Sequence, residues 1–206
     1  LNVLLLGTPI DAVRALAAEL GAELVEVPLG AGDGALEAWR DEVAAGPADD
    51  RVVVAPWVEA QAAGVVDDLT AQTWDARCEA PLAAWVLAMG AAALRVADGG
   101  VIVAVVERPA PLDCIGWAPE SAIADGVEAI TRSLGRAEGP RGVRVHAVTT
   151  PARLTTGPVV QPPPPLDSFP GSLDRDVVGA VRALLSDDVA GLTGQVVHAD
   201  AGRSWR

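Results

Sequence analysis

The sequence predicts an α/β protein with a three-layer, doubly wound parallel sheet of six strands. Two observations carry that prediction. Apolar-rich runs of strand length recur at VLLL (3–6), AELVEV (22–27), RVVVAPW (51–57), GGVIVAVV (99–106), RVHAV (144–148) and GQVVHAD (194–200), and most lack polar alternation, as strands covered on both faces do. Segments of helical period stand between them, and such alternation implies parallel strands joined by crossover helices.

Each element has a local reason. Residues 9–20 place Ile10, Val13, Leu16, Ala17 and Leu20 on one stripe. Thr8 and Asp11 match the N-cap and N3 positions of a capping box, with Pro9 at N1. Leu36, Trp39 and Val43 give helix 35–45, which Gly46-Pro47 ends. A long helical region over 71–96 is interrupted at Pro81, whose ring removes a donor. Helix 120–138 keeps Ile123, Val127, Ile130 and Leu134 in register, and helix 174–186 precedes the last strand. QPPPPLDSFPG at 161–171 excludes regular structure, because successive prolines fix φ and lack N–H groups. Residues 152–173 therefore read as a Pro/Gly-rich loop or lid.

The 206 residues suit a single domain spanning 1–206. A formal net charge of -13 opposes nucleic acid and anionic membrane surfaces as partners. No uninterrupted apolar stretch reaches transmembrane length, and VLLLG is too short for a secretory core, so a cytoplasmic location is expected. Cys78 and Cys114 lack metal-site spacing and read as small buried hydrophobes, while His146 and His198 lie far apart, so no metal is expected. The chain has no tyrosine, and its 15 basic residues are all arginine. Chemistry that needs a phenol or a lysine amine within this chain is excluded.

Four stretches, TWDARCEAPL (73–82), GGVIVAVV (99–106), GVEAITRSLGRAEGPRGVRVHAV (126–148) and LLSDDVAGLTGQVVHADAG (184–202), resemble the short-chain dehydrogenase/reductases. The last two are similar to the oxoacyl-thioester reductases of that family. The likeness runs from Val3 to Gly202 and implies a Rossmann-like sheet, ordered 3-2-1-4-5-6-7 in typical members. Only about 23 residues separate the second predicted strand from RVVVAPW, room for one helix, so the family's third strand, at the sheet edge, is expected to be missing.

Carried onto this chain, the family's catalytic Tyr falls on Glu120, its Lys on Ala124, its Ser on Glu107 or a neighbour, and its helix Asn on Pro81. Its Asn-Asn-Ala-Gly turn falls on Ala55-Pro56-Trp57-Val58. The resemblance thus implies a degenerate member that lacks the phenol, the ammonium and the orienting hydroxyl. Glu120 reads as an exposed first-turn residue favoured by the helix dipole. The alternative is a divergent or cofactor-independent enzyme in which Glu107 and Glu120 share a proton.

The nucleotide side is also reduced. A dinucleotide turn uses several glycines to let backbone approach the pyrophosphate; only Gly7 remains, and Thr8 with Asp11 would close the helix end with protein groups. Glu26, nineteen residues after Gly7, suits a ribose hydroxyl or simply a solvated edge, as Arg14 suits a phosphate or a solvated face. No cofactor is expected in this chain, with NAD(P) held instead by an active partner. The family's subunit contacts correspond to helices 71–96 and 120–138. The leading expectation is a noncatalytic subunit that shapes an active reductase of oxoacyl or polyketide thioesters. A small-molecule binding or sensor protein is the third alternative.

Overall fold

A computed structural model gives the fold, with residues 2–30, 34–110, 114–154 and 173–202 described. The predicted architecture is present: one parallel sheet in the order β2-β1-β3-β4-β5-β6. Its strands are β1 (Val3–Gly7), β2 (Ala22–Glu26), β3 (Asp49–Ala55), β4 (Val96–Glu107), β5 (Arg144–Thr150) and β6 (Val196–His198). The helices are α1 (Asp11–Leu20), α2 (Ala35–Ala44), α3 (Ala71–Trp74), α4 (Ala80–Arg95), α5 (Ala118–Ala137), α6 (Leu173–Asp176) and α7 (Val178–Leu185).

Between β2 and β3 the described residues form α2 and no further strand, so β2 is the sheet edge and is only half covered. The central strands are buried throughout their apolar runs: Val52, Val53 and Val54 on β3 and Ile102, Val103, Ala104 and Val105 on β4 are inaccessible. At about 1.5–3 kcal/mol for each large side chain buried, this continuous core is the main stabilising term.

Pro81 acts one turn earlier than its own position. Residues Asp75–Glu79 form a π-helical turn between α3 and α4, because a proline ring collides with the carbonyl four residues before it and has no N–H to offer that carbonyl. This widened turn carries Arg77. The whole helical stretch Ala71–Arg95 is long and apolar enough to cross a membrane by length and composition, with a mean hydropathy of 1.2, but half of that window is buried inside the fold. Ala84, Trp85, Ala88, Met89 and Ala92 face the sheet and neighbouring helices, so it is packed as a core helix.

Three expectations are corrected here. The helix after β1 starts at Asp11, with Ile10 as its N-cap and no side-chain cap. The Thr8 hydroxyl instead donates to the Trp57 carbonyl; Thr8 lies two residues before the N-cap, outside reach of the first-turn amides. The capping box in this chain belongs to Thr70 and Thr73, ahead of α3. Finally, Cys78 is buried but Cys114 is exposed, since it lies in the turn leading into α5 rather than on a core face. Most of the proposed lid, including 161–171, lies outside the described residues.

Candidate functional site

The sheet changes winding direction between β1 and β3, which neighbour each other while β2 continues on one side and β4 on the other. Ligands of open parallel sheets lie at such a switch point, beyond the carboxyl ends of the strands. Here that end is built from Gly7, Thr8, Ala55, Pro56, Trp57, Glu107 and the first turns of α1 and α5.

Gly7 remains for a packing reason. A Cβ there would stand 2.7 Å from Leu5 Cδ2 and Val13 Cγ1 and 2.9 Å from the Ala55 carbonyl. The missing side chain lets β1, α1 and β3 approach one another. Trp57, past the end of β3, is buried and donates its indole N–H to the Val105 carbonyl at 2.6 Å. Its ring is covered by Arg153, whose guanidinium carbon lies 5.2 Å from the ring centroid, within cation–π range. Arg153 Nη2 also donates to the Val58 carbonyl at 2.9 Å. Trp57 thereby links β3, β4 and the segment after β5.

Beside Trp57 lies a small cleft lined by Val58, Arg77, Pro81, Trp85, Glu107, Glu120 and neighbours. Its interior has room for about 30 Å³, a water or two, and it opens to solvent. The cleft brings Glu107 and Glu120 together, although they are thirteen residues apart and on different elements. Glu107 is the last residue of β4 and Glu120 sits in the first turn of α5. Pro81 lines the cleft, and Ala124 is fully buried on α5.

Glu120 is therefore not the exposed first-turn residue expected from sequence. Its side chain is 12% exposed and accepts from Arg77 Nη2 at 2.6 Å. The π-helical turn delivers that guanidinium. Glu107 has an ion pair of its own, with Arg153 Nη1 at 3.4 Å from Oε2. Burial pushes the Glu107 pKa up to about 7; the Arg153 charge pulls it down, and the Glu120 charge adds to the rise. Burial, with Glu79 and Glu120, likewise raises the Cys78 thiol, which keeps it unreactive. Sequence reasoning missed Arg77 and Arg153. Their signal was available only as arginines beside the family-like stretches, four residues before Pro81 and two after Pro151.

At the nucleotide end, Glu26 stands at the carboxyl end of β2, exposed, with Arg14 Nη2 at 3.9 Å from Oε1. Asp11 is in the first turn of α1, and no side-chain cap bond is made to that helix end. First-turn backbone amides are the groups that receive a phosphate, and Asp11 places a negative charge beside them. Ala55 is buried at the end of β3 and contributes no polar side chain.

His198 shares a hydrogen bond with Thr149 at 2.7 Å through Nδ1. His146, on β5, is inaccessible, and its pKa is lowered to about 4 by burial and then by the Arg144 charge, against an opposing Leu192 backbone interaction.

No family model and no curated protein matches the sequence. Solved structures do. A Serratia marcescens short-chain dehydrogenase/reductase mutant is 19% identical, with a TM-score of 0.75 over 98% of this chain and 97% of that one. A short-chain type dehydrogenase/reductase from Mycobacterium ulcerans is 18% identical, with a TM-score of 0.74 over 100% of this chain and 81% of that one. A blue fluorescent protein from a metagenomic library, in complex with NADPH, is 22% identical, with a TM-score of 0.72 over 97% of this chain and 87% of that one. The last structure corrects the expectation that no cofactor binds: the fold that this chain shares holds NADPH in that protein. The Thr8–Asp11 cap, on which that expectation partly rested, does not form. The architecture of this chain is the short-chain dehydrogenase/reductase fold, with no strand beyond β2 among the described residues.

Proposed function

We propose that this chain is a short-chain dehydrogenase/reductase-like subunit that binds an NAD(P)-class dinucleotide and supports an active reductase of the same fold by association, without carrying the proton transfer itself. The observation that carries the proposal is the pairing of Glu120 with Arg77 at 2.6 Å. At the position where the resemblance expects a phenol activated by a lysine, a carboxylate is spent on a structural guanidinium, and Ala124 supplies no cation.

The amides of the first turn of α1 would hold the cofactor phosphate and Glu26 a ribose hydroxyl. NAD(P) supplies a hydride donor or acceptor when bound; buried Trp57 and the paired carboxylates supply no phenolic proton beside it. Association is supported by the outer side of α4. Val86 is 50% and Leu94 61% exposed, and Ala80 and Ala83 are exposed on the same helix, a surface that permits close helix packing. Trp85, Met89, Ile123 and Val127 are spent on the chain's own core, so the contact rests on the smaller outward residues. Oxoacyl or polyketide thioesters as substrates of the partner follow from the resemblance alone.

Co-expression with a reductase that carries the Tyr-x-x-x-Lys pair, followed by size-exclusion chromatography and turnover assays, tests the proposal. A mixed oligomer with raised partner activity supports it; a chain that stays alone and changes no partner's turnover overturns it. One observation favours a second reading, an enzyme using Glu107 and Glu120: Glu107 is poised near half-protonation at neutral pH. Glu107→Gln and Glu120→Gln would each abolish such a turnover.

A further inference from the structure

Of the ten buried side-chain polar atoms without a hydrogen-bond partner among the described residues, four lie at or beside the Glu107–Glu120 cleft and six elsewhere. The four are Glu107 Oε1, Glu120 Oε2, Arg77 Nε and Arg153 Nη1, the last 3.4 Å from Glu107 Oε2. Each such group left unsatisfied costs about 1–3 kcal/mol. The larger hollow at the opposite end of the sheet, between Arg51, Arg182, Asp187 and Asp188, contains none of them. The cleft is thus a place where partners are missing in a surrounding that is otherwise tightly packed.

We propose that this cleft binds the carboxylate group of a small organic acid between Arg77 and Glu107, with Glu107 taking up one proton as the acid enters. The charge arrangement supports an anion. The groups facing Glu107 are Arg77 from the π-helical turn, Glu120 from α5 and Arg153 from the segment after β5. Arg108, the next residue along the chain, is spent on Asp125 and Glu128. With Glu107 protonated, two guanidinium groups face one carboxylate charge, and an incoming carboxylate restores neutrality. An unprotonated Glu107 would leave a third negative charge in a half-dry cleft, which is costly.

The hydrogen bonds match at Arg77 and Glu107, while Glu120 Oε2, an acceptor, gains no donor from a carboxylate. A carboxylate accepts from the free Arg77 Nε–H and from the Glu107 O–H, and gains the nearby Arg153 charge. The pKa of about 7 held by burial makes proton uptake by Glu107 inexpensive near neutral pH. The small interior has room for the carboxylate group and not for a long chain, so the carbon chain of the acid extends toward solvent. This site needs no reductase partner, and the chain alone displays it.

Acetate and propionate are the probes, with acetamide as the uncharged isostere. Trp57 and Trp85 report occupancy by fluorescence, and calorimetry in two carboxylate-free buffers of different ionisation heat counts protons. The expected result is saturable acetate binding with proton uptake, weakening about tenfold for each pH unit above the Glu107 pKa, and no binding of acetamide. Glu107→Gln keeps acetate binding, because its amide donates, but loses the proton uptake and the pH dependence. The paired change Arg77→Gln with Glu120→Gln strands no charge and weakens binding at least about tenfold, the loss of one charge-assisted hydrogen bond. No saturation up to about 0.1 M of either acid, equal binding of acetamide, or unchanged proton uptake in the Glu107→Gln variant overturns the proposal. Circular dichroism verifies the fold of each variant, and the Glu107→Gln proton count decides the matter if the paired variant does not fold.

Discussion

Glu107→Gln makes a strong prediction about stability, because two buried titratable groups work against each other in this fold. Burial raises Glu107 from 4.5 to about 7, so between those values the native state keeps a proton that the unfolded chain has lost. Stability from this group is present below pH 4.5 and is lost as pH rises through about 7. His146 runs the other way: lowered from 6.5 to about 4, it stays neutral in the native state while the unfolded chain binds a proton. Its contribution is present above 6.5 and is lost as pH falls toward about 4. Each slope is about 1.4 kcal/mol per pH unit and each window spans about 2.5 units, giving about 3 kcal/mol of opposite sign. Across the shared window the two nearly cancel. Urea unfolding of wild type and Glu107→Gln at a series of pH values isolates the Glu107 part, because the other groups cancel in the difference. The variant should gain about 3 kcal/mol relative to wild type as pH rises through the Glu107 window. A difference that stays flat with pH would refute the reasoning that Glu107 is buried and protonated in the native state.

Other outcomes follow from the same geometry. Gly7→Ala should cost about 2 kcal/mol by overpacking β1 against α1 and the Ala55 carbonyl, read as a lower urea midpoint; an unchanged midpoint would show that the strand and helix have room. Trp57→Ala should cost about 3–5 kcal/mol and free Arg153 from its ring. Val86→Glu with Leu94→Glu should leave the thermal midpoint of the isolated chain nearly unchanged, since both are exposed, while preventing co-elution with a reductase partner. NADPH titration by calorimetry should show binding that Ile10→Pro weakens, because proline removes an amide from the end of α1; equal binding by that variant would place the nucleotide elsewhere.

The sheet was legible because it rests on composition and period. VLLL, RVVVAPW and GGVIVAVV are apolar enough to be strands covered on both faces, and the spacing between residues 27 and 51 leaves no room for an additional strand; the three runs become β1, β3 and β4, with β2 as the half-covered edge. The site was legible only by position. Alignment to family-like stretches placed Glu107 and Glu120 near each other, but the sequence does not show which arginine each would meet, because Arg77 reaches Glu120 through a π-helical turn and Arg153 reaches Glu107 across the sheet end. The Thr8–Asp11 capping box failed for a related reason. Thr8 has a tertiary alternative, the Trp57 carbonyl, forty-nine residues away, and a local spacing rule cannot see a partner that distant. That failure reversed the reading of the nucleotide end.

The most direct measurement is the mass and turnover of the species formed when this chain is co-expressed with a short-chain dehydrogenase/reductase that carries the Tyr-x-x-x-Lys pair but lacks activity or stability alone. The account predicts a mixed oligomer whose turnover requires this chain and disappears with Val86→Glu and Leu94→Glu. A monomer or homo-oligomer that leaves the turnover of each tested reductase unchanged would contradict it.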